Sequence, residues 1–265
     1  MVKYDREKYK TTPEDFTFVG PDKNKREEIT KPSLTYWQDA WRRFKKNKLA
    51  MSFLIFLGFV LFLAIFGQQI TKYSYFEQNT KLRFLTPFKG FSLGHYLGTD
   101  TLGRDLFARI SQGIRVSMEL AIIVATVCVV IGTIYGSIAA YFGGIIDMLM
   151  VRFIEIVIAV PSMIYIILLM VVMGNSVKTI VIALSLTRWL GYALLVRGEV
   201  LKLKENEYVM ASTALGASFT RIMFKHLIPN TLSVIIVKLT MDIPSIIFSE
   251  AFLSFIGLGV PIPQA

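Results

Sequence analysis

Five ionisable residues stand inside apolar stretches of this chain: Glu155, Arg188, Lys238, Asp242 and Glu250. A charge at the centre of a bilayer costs roughly 2.5–3.5 kcal/mol on insertion scales, so such groups face a cavity or a partner. Asp242 and Glu250 are eight residues apart, a little over two helical turns, and are expected on similar faces. Lys238 and Asp242 stand at i,i+4 and can neutralise one another. Two roles fit these types. Glu155, Arg188, Asp242 and Glu250 either line a solute path or pair helix to helix near the headgroups. Pro161 and Pro244 interrupt the same stretches, and proline in a span is tolerated where a neighbour or cavity satisfies the freed carbonyls.

Catalytic chemistry finds little support. The two histidines, His95 and His226, sit in no zinc-type spacing, and the single cysteine, Cys128, falls within an apolar run. No Gly-x-x-x-x-Gly-Lys-Ser/Thr stretch occurs, so the chain has no phosphate loop for ATP. Gly90-Phe-Ser-Leu-Gly94 matches the spacing of a serine nucleophile elbow. That motif needs a strand-to-helix turn with acid and histidine partners, and here it lies in a polar connection.

The elements that must hold these residues are membrane helices. Of 265 residues, 54% are hydrophobic and 18% charged, too apolar for an ordinary soluble domain. The apolar residues gather in Leu49–Phe66, Ala121–Tyr141, Ile154–Met173, Ile180–Val196 and Leu232–Phe255. Each approaches the roughly 20 residues that span a hydrocarbon core. The expected fold class is all-α: a polytopic membrane helix bundle with five spans and no barrel patterning. The chain's last residues, Pro261-Ile-Pro-Gln-Ala265, follow the fifth span on the outer side, which leaves either an odd span count or a sixth helix beyond them.

The net charge of +10 does not imply a nucleic-acid partner, because 13 of 29 Lys and Arg precede Leu49. Arg42, Arg43, Lys45, Lys46 and Lys48 abut the first span, as expected for an N-terminus held in the cytoplasm. A long polar segment ahead of that span leaves no room for a short signal-peptide n-region. The expected organisation is a cytoplasmic tail with an interfacial helix (1–48) and a first span (49–66), then an extracellular loop (67–117) and a core (118–265). Residues 1–33 read as a flexible tail, and Trp37, Trp41 and Phe44 among basic residues read as a helix at the inner headgroup level. Gly132, Gly136 and Ala140 are spaced at four, a small-residue face for close helix contact. A contact within the subunit is preferred to one between subunits.

Alternation puts 197–230 inside, and this polar loop has its own pattern. Asn206 can cap a helix that opens with Glu207 and continues through Ala211, Ser212, Thr213 and Ala214. Gly216 is placed to end it in a left-handed conformation. Ser218 can cap a second helix with Phe219, Ile222, Met223 and His226 on one buried face, and Pro229 marks its end. A helix of small residues at the cytoplasmic surface suits a groove on another protein. A cap that seals the bundle's inner end fits equally well.

With these residues in view, Glu207–Asn230 resembles the EAA loop of ABC-importer permeases, in the oligopeptide permease C branch of the peptide and nickel family. Two further blocks are similar to that family. One is His95-Tyr-Leu-Gly-Thr-Asp-Thr-Leu-Gly-Arg-Asp-Leu-Phe-Ala-Arg109 with Gly113, Arg115 and Ser117; the other runs from Glu250 to Pro261. The likeness covers about residues 34–265. It departs at Met210, where the loop motif usually has its first Glu, at Ser212 for its second Ala, and at Tyr96 for a Pro. Glu155 stands where Asp is common.

The resemblance implies a type I ABC importer permease fold with a sixth helix, in a bacterial plasma membrane. It implies a homologous B-type permease as partner, with the solute path between the two. It further implies two cytosolic ATPases that bind ATP and Mg, an extracellular lipid-anchored or periplasmic substrate-binding protein, and a peptide substrate. This chain itself would hold no cofactor or metal and perform no chemistry. Glu207, Tyr208, Ala211, Ser212, Ala214, Leu215, Gly216 and Ala217 would form the coupling element seated on an ATPase. From a different class, an ion-coupled secondary transporter using Asp242 and Glu250 would need inverted repeats, and none is visible.

Overall fold

The computed structural model describes residues 36–260; the tail 1–33 and Pro261–Ala265 lie outside the described residues. Contacts divide the chain into two units, 1–56 and 57–265. In the first, helix α1 (Tyr36–Lys46) stacks Trp41 on Phe44 with ring centroids 5.8 Å apart, and Lys45 Nζ lies 5.3 Å from the Trp41 ring. Asn47 closes that helix and accepts a hydrogen bond from the Ala50 N–H at 3.1 Å, starting α2 (Lys48–Ile70). Trp41 and Phe44 stand among arginines and lysines on this helix, while the Trp37 side chain lies outside the described residues.

In the second unit, short turns that include α3 (Pro87–Gly90) lead to α4 (Leu106–Phe142), which begins inside the segment read as loop 67–117. Its 37 residues extend about 55 Å, more than a hydrocarbon core, so its first turns rise beyond the apolar layer. After it come α5 (Gly144–Ile158), α6 (Ser162–Met173) and α7 (Val177–Lys204). The short helices α8 (Glu207–Ala214) and α9 (Phe219–Ile222) of the polar loop precede α10 (Ile228–Phe255). Among the described residues four helical stretches are long and apolar enough to cross a membrane, or five if a bent pair is one span. No β-strand occurs among the described residues.

The core forms where α4 packs along α7, with α10 against both and α6 against α7. Leu120, Val124, Cys128, Leu184, Tyr192, Val196, Ile246 and Leu253 are buried there. The small-residue face does its work inside the subunit. A Cβ on Gly132 or Gly136 would collide with Tyr192 or the Ala193 carbonyl on α7.

Pro161 interrupts the third span as expected, but the extent of that span and the roles of Pro229 and Pro244 need correction. The third span is not one helix over Ile154–Met173. It is α5 and α6, bent by 75° at Pro161, so Glu155 sits in the last turn before a break rather than near the start of a span. The proline lacks an N–H and restricts the residue before it, and the Tyr165 hydroxyl donates across the bend to the Val157 carbonyl at 3.3 Å. Pro229 does not end a helix: Phe219–Phe255 forms one continuous stretch. A π-helical turn over Met223–Leu227 widens the backbone, and Ile228 N–H bonds to Met223 O, which frees Pro229 from a clash with the carbonyl four residues back. Pro244 lies inside α10 without interrupting it.

Candidate functional site

The polar loop 197–230 is built from the end of α7. Lys204 Nζ donates to the Tyr141 carbonyl at 2.6 Å, which ties that end to the end of α4. Asn206 takes the extended N-cap conformation, and its carbonyl accepts from the N–H groups of Val209 and Met210. Its side chain makes no capping bond, so the cap is positional only. Val209, 2% exposed, pins α8 to the bundle. Ser212 and Thr213 return their hydroxyls to the carbonyls of Tyr208 and Val209, at 2.8 and 2.9 Å.

Gly216 ends α8 at φ +79°. Its N–H bonds to Thr213 O at 2.9 Å, and Ala217 N–H bonds to Ser212 O at 3.1 Å, the paired bonds of a Schellman motif. The turn leaves Leu215 88% exposed. Beyond it, Phe219 packs against Tyr141 and Phe142, with ring centroids 4.6 and 5.3 Å away, while Ile222 and Met223 are buried and His226 is half-buried. Glu207, Tyr208, Ala211, Ala214, Leu215 and Gly216 are exposed together; Ser212 and Ala217 are half-buried. Sequence reasoning passed over Arg221 and Lys225, which line a recess with Ser212, Leu215, Gly216 and Ala217. Their i,i+4 spacing was the available signal.

A second arrangement lies within the membrane helices. Arg188 Nη1 donates to Ser245 Oγ at 3.1 Å, and Nη2 donates to Ser245 O and Ser249 Oγ at 3.2 and 2.6 Å. Lys238 Nζ pairs with Asp242 at 3.2 Å and lies 5.1 Å from the Tyr192 ring. Arg188, Lys238 and Asp242 share a recess of about 420 Å³ with Pro161, Ser162, Met163, Gly191 and Ser249. Ser245 and Ser249, spaced one turn apart, were the partners that sequence reading missed.

Glu250 and Glu155 are not brought into that recess. Glu250 is only 6% exposed; its Oε2 accepts from Ser117 Oγ at 2.9 Å and its Oε1 from Ser254 Oγ at 3.0 Å. Eight residues turn a helix about 80° beyond two full turns, enough to send Asp242 and Glu250 to different neighbours. Glu155 pairs with Arg152 at 2.8 Å in a separate recess with Asp147 and Arg197. There Arg197 forms a two-pronged bond to Asp147 at 2.5 and 2.6 Å, linking α7 to α5.

The segment before α4 is held by two aspartates. Asp100 accepts the N–H groups of Leu102 and Arg104 and the guanidinium groups of Arg104 and Arg109. Burial raises its pKa, but the Arg104 N–H, the Arg104 guanidinium and the Leu102 N–H outweigh burial and hold it at about 2. Asp105 caps α4 by accepting from Ala108 N–H at 2.8 Å and meets His95 Nδ1 at 2.9 Å, with both side chains buried. Ser92 Oγ donates to Lys89 O, and the Gly90–Gly94 stretch lies on short helical turns rather than on a strand-to-helix elbow.

Residues 132–265 match the family described as binding-protein-dependent transport system inner membrane components. The chain belongs to that family. Residues 35–87 match the N-terminal transmembrane domain of oligopeptide transport permease C. The chain is 44% identical over 260 residues to the dipeptide transport system permease protein DppC of Bacillus subtilis, covering 98% of this chain and 80% of that protein. It is 45% identical to the oligopeptide transport system permease protein OppC of the same organism, over 90% of this chain and 77% of the relative. Against the OppC of Escherichia coli K12 the identity is 36%, over 86% and 74%. The chain is an integral, multi-pass membrane protein of this transport family, and its helical bundle fits the type I permease fold.

Proposed function

We propose that this chain is the C-type permease subunit of an ATP-driven importer of oligo- or dipeptides in a bacterial plasma membrane, with its N-terminus cytoplasmic. The observation that carries the coupling role is the tip of α8. A helix pinned by Val209 and closed by a Schellman turn presents Leu215 to solvent, 88% exposed among the described residues. An isolated, nearly fully exposed leucine on a rigid turn suits insertion into a groove of a cytosolic ATPase. In this reading Glu207, Tyr208, Ala211, Ser212, Ala214, Leu215, Gly216 and Ala217 form the contact. Met210, also exposed, occupies the place of the family's glutamate.

The solute path would run between this chain and a homologous B-type permease, with Arg188 and Asp242 on its wall. Two ATPases would bind ATP and Mg, and an extracellular binding protein would deliver the peptide. The chain would supply positioning and motion and no chemical step.

Leu215→Glu in the assembled transporter tests the coupling role. Peptide uptake and binding-protein-stimulated ATP hydrolysis are expected to fall together by about tenfold or more, as for loss of a central apolar anchor. Normal uptake and stimulation with Leu215→Glu would remove the coupling role from this turn.

A further inference from the structure

We propose that the recess at Arg188 is a carboxylate site, taking the C-terminal carboxylate of the transported peptide. The proposal rests on the path reading above and adds a ligand group to it.

Arg188 is the twelfth of 28 residues of α7, deep within a membrane-crossing helix. A guanidinium there stays charged at any physiological pH and needs a counter-charge. Among the described residues it has none. Its three bonds go to two serine hydroxyls and one carbonyl, all neutral acceptors. That leaves two of its five N–H groups, including the one on Nε, without a partner among the described residues. The nearby carboxylates are already engaged. Asp242 pairs with Lys238, and Glu250 is buried between Ser117 and Ser254.

The walls of the recess add to the imbalance. Two cations, Arg188 and Lys238, face one carboxylate, Asp242, so its lining carries one net positive charge. The first turn of α6 opens onto the same space through Pro161, Ser162 and Met163, and its N-cap supplies no side-chain bond. A helix N-terminus adds partial positive charge and free N–H groups. Low surrounding polarity strengthens each of these attractions toward an anion. The serines fix the guanidinium's orientation, and a fixed fork matches the planar geometry of a carboxylate. A volume of about 420 Å³ admits a peptide terminus with its last side chain, beside the apolar Val157, Ile158, Val160 and Ile166. A phosphate from a lipid headgroup would meet the same chemistry, and the test separates the two sources.

The complete transporter is reconstituted in liposomes with its binding protein. Uptake is measured for a peptide with a free C-terminal carboxylate and for its C-terminal amide, chosen so that the binding protein takes both equally. Wild type is expected to favour the acid. Arg188→Gln should lower uptake of the acid by about tenfold or more, the scale of a lost hydrogen bond to a charged group, and leave the amide unchanged. Arg188→Lys should fall between, because it keeps the charge and loses the fork.

Equal transport of acid and amide by the wild type would overturn the carboxylate site. A parallel loss of both peptides in Arg188→Gln would also overturn it and would leave the path reading standing. Unchanged uptake of both in Arg188→Gln would overturn the carboxylate site and the path reading together, and would exclude the peptide as the source of the guanidinium's anion. If Arg188→Gln fails to co-purify with its ATPases, the acid-to-amide ratio of Arg188→Lys decides: an unshifted ratio overturns the proposal.

Discussion

Gly136 lies so close to α7 that a Cβ on it would fall well inside van der Waals contact distance of the Ala193 carbonyl oxygen, and 2.9 Å from the Arg197 nitrogen. The main chains of α4 and α7 therefore touch directly at this level. In lipid, where apolar burial gives helices little reason to associate, such contact supplies the packing that holds them.

Gly136→Val is expected to destabilise the subunit by about 1–3 kcal/mol or more through overpacking. Gly113→Ala, on the same helix with nothing within 4 Å of the added carbon, should leave stability unchanged or slightly raised. Thermal unfolding in detergent compares the two. Equal behaviour would mean that the α4–α7 contact is not tight.

Gly216 presents the opposite case. Space around it is open, and the restriction comes only from its φ of +79°. Gly216→Val should cost about 1–2 kcal/mol at the turn and reduce binding-protein-stimulated ATP hydrolysis. Gly216→Asn, which tolerates the left-handed region, should retain most of that stimulation. A bulky side chain harming both variants alike would point to sterics at a docked surface instead.

Asp100 provides a pH signature for the segment before α4. Its pKa falls from 3.8 to about 2 on folding, so the folded state binds protons less readily than the unfolded one. The stabilisation is therefore fully present above pH 4 and disappears as pH falls toward 2. Asp100→Asn should lower protection of residues 80–105 at pH 7 by about 1 kcal/mol, discounted for screening by nearby water. Hydrogen exchange of variant and wild type should converge as pH approaches 2. A difference that persists unchanged there would assign the effect to something other than the carboxylate's charge.

Glu250 is held by hydroxyls from Ser117 and Ser254 and lines no recess with Asp242. Glu250→Gln keeps an acceptor for one hydroxyl and a donor for the other, and peptide uptake should proceed at the wild-type rate. Ser117→Ala should cost about 1 kcal/mol, the typical net worth of a buried hydrogen bond. Loss of uptake in Glu250→Gln with assembly intact would favour a proton-carrying acid and an ion-coupled mechanism.

Much of the loop was legible because its signals are local. Gly216 must accept a left-handed turn whatever surrounds it, and Val209 to Ala217 follow from hydrogen bonds within one short helix. The charged residues were legible as unusual but not as a site. Arg188 meets Ser245 and Ser249 only because α7 lies on α10, across 57 and 61 residues of chain. No periodicity in either helix encodes that encounter.

The prolines divide the same way. Each removes one backbone donor, a local fact, yet α6 breaks away at Pro161, Pro229 is absorbed by a π turn and Pro244 leaves α10 continuous. The outcome depends on how neighbouring turns and helices accommodate the freed carbonyls. By itself the sequence determined that the chain crosses a membrane, where most of the long apolar helices run and where the turn at Gly216 must bend, since apolar length and backbone handedness act over one helix at a time. Lys238 and Asp242 pair within one helix, as their spacing allows, but the tertiary structure alone decided that Arg197 meets Asp147, that serines hold Glu250 and that Arg188 faces an open recess. Electrostatic partners are set by distance through space, and packing between helices fixes that distance.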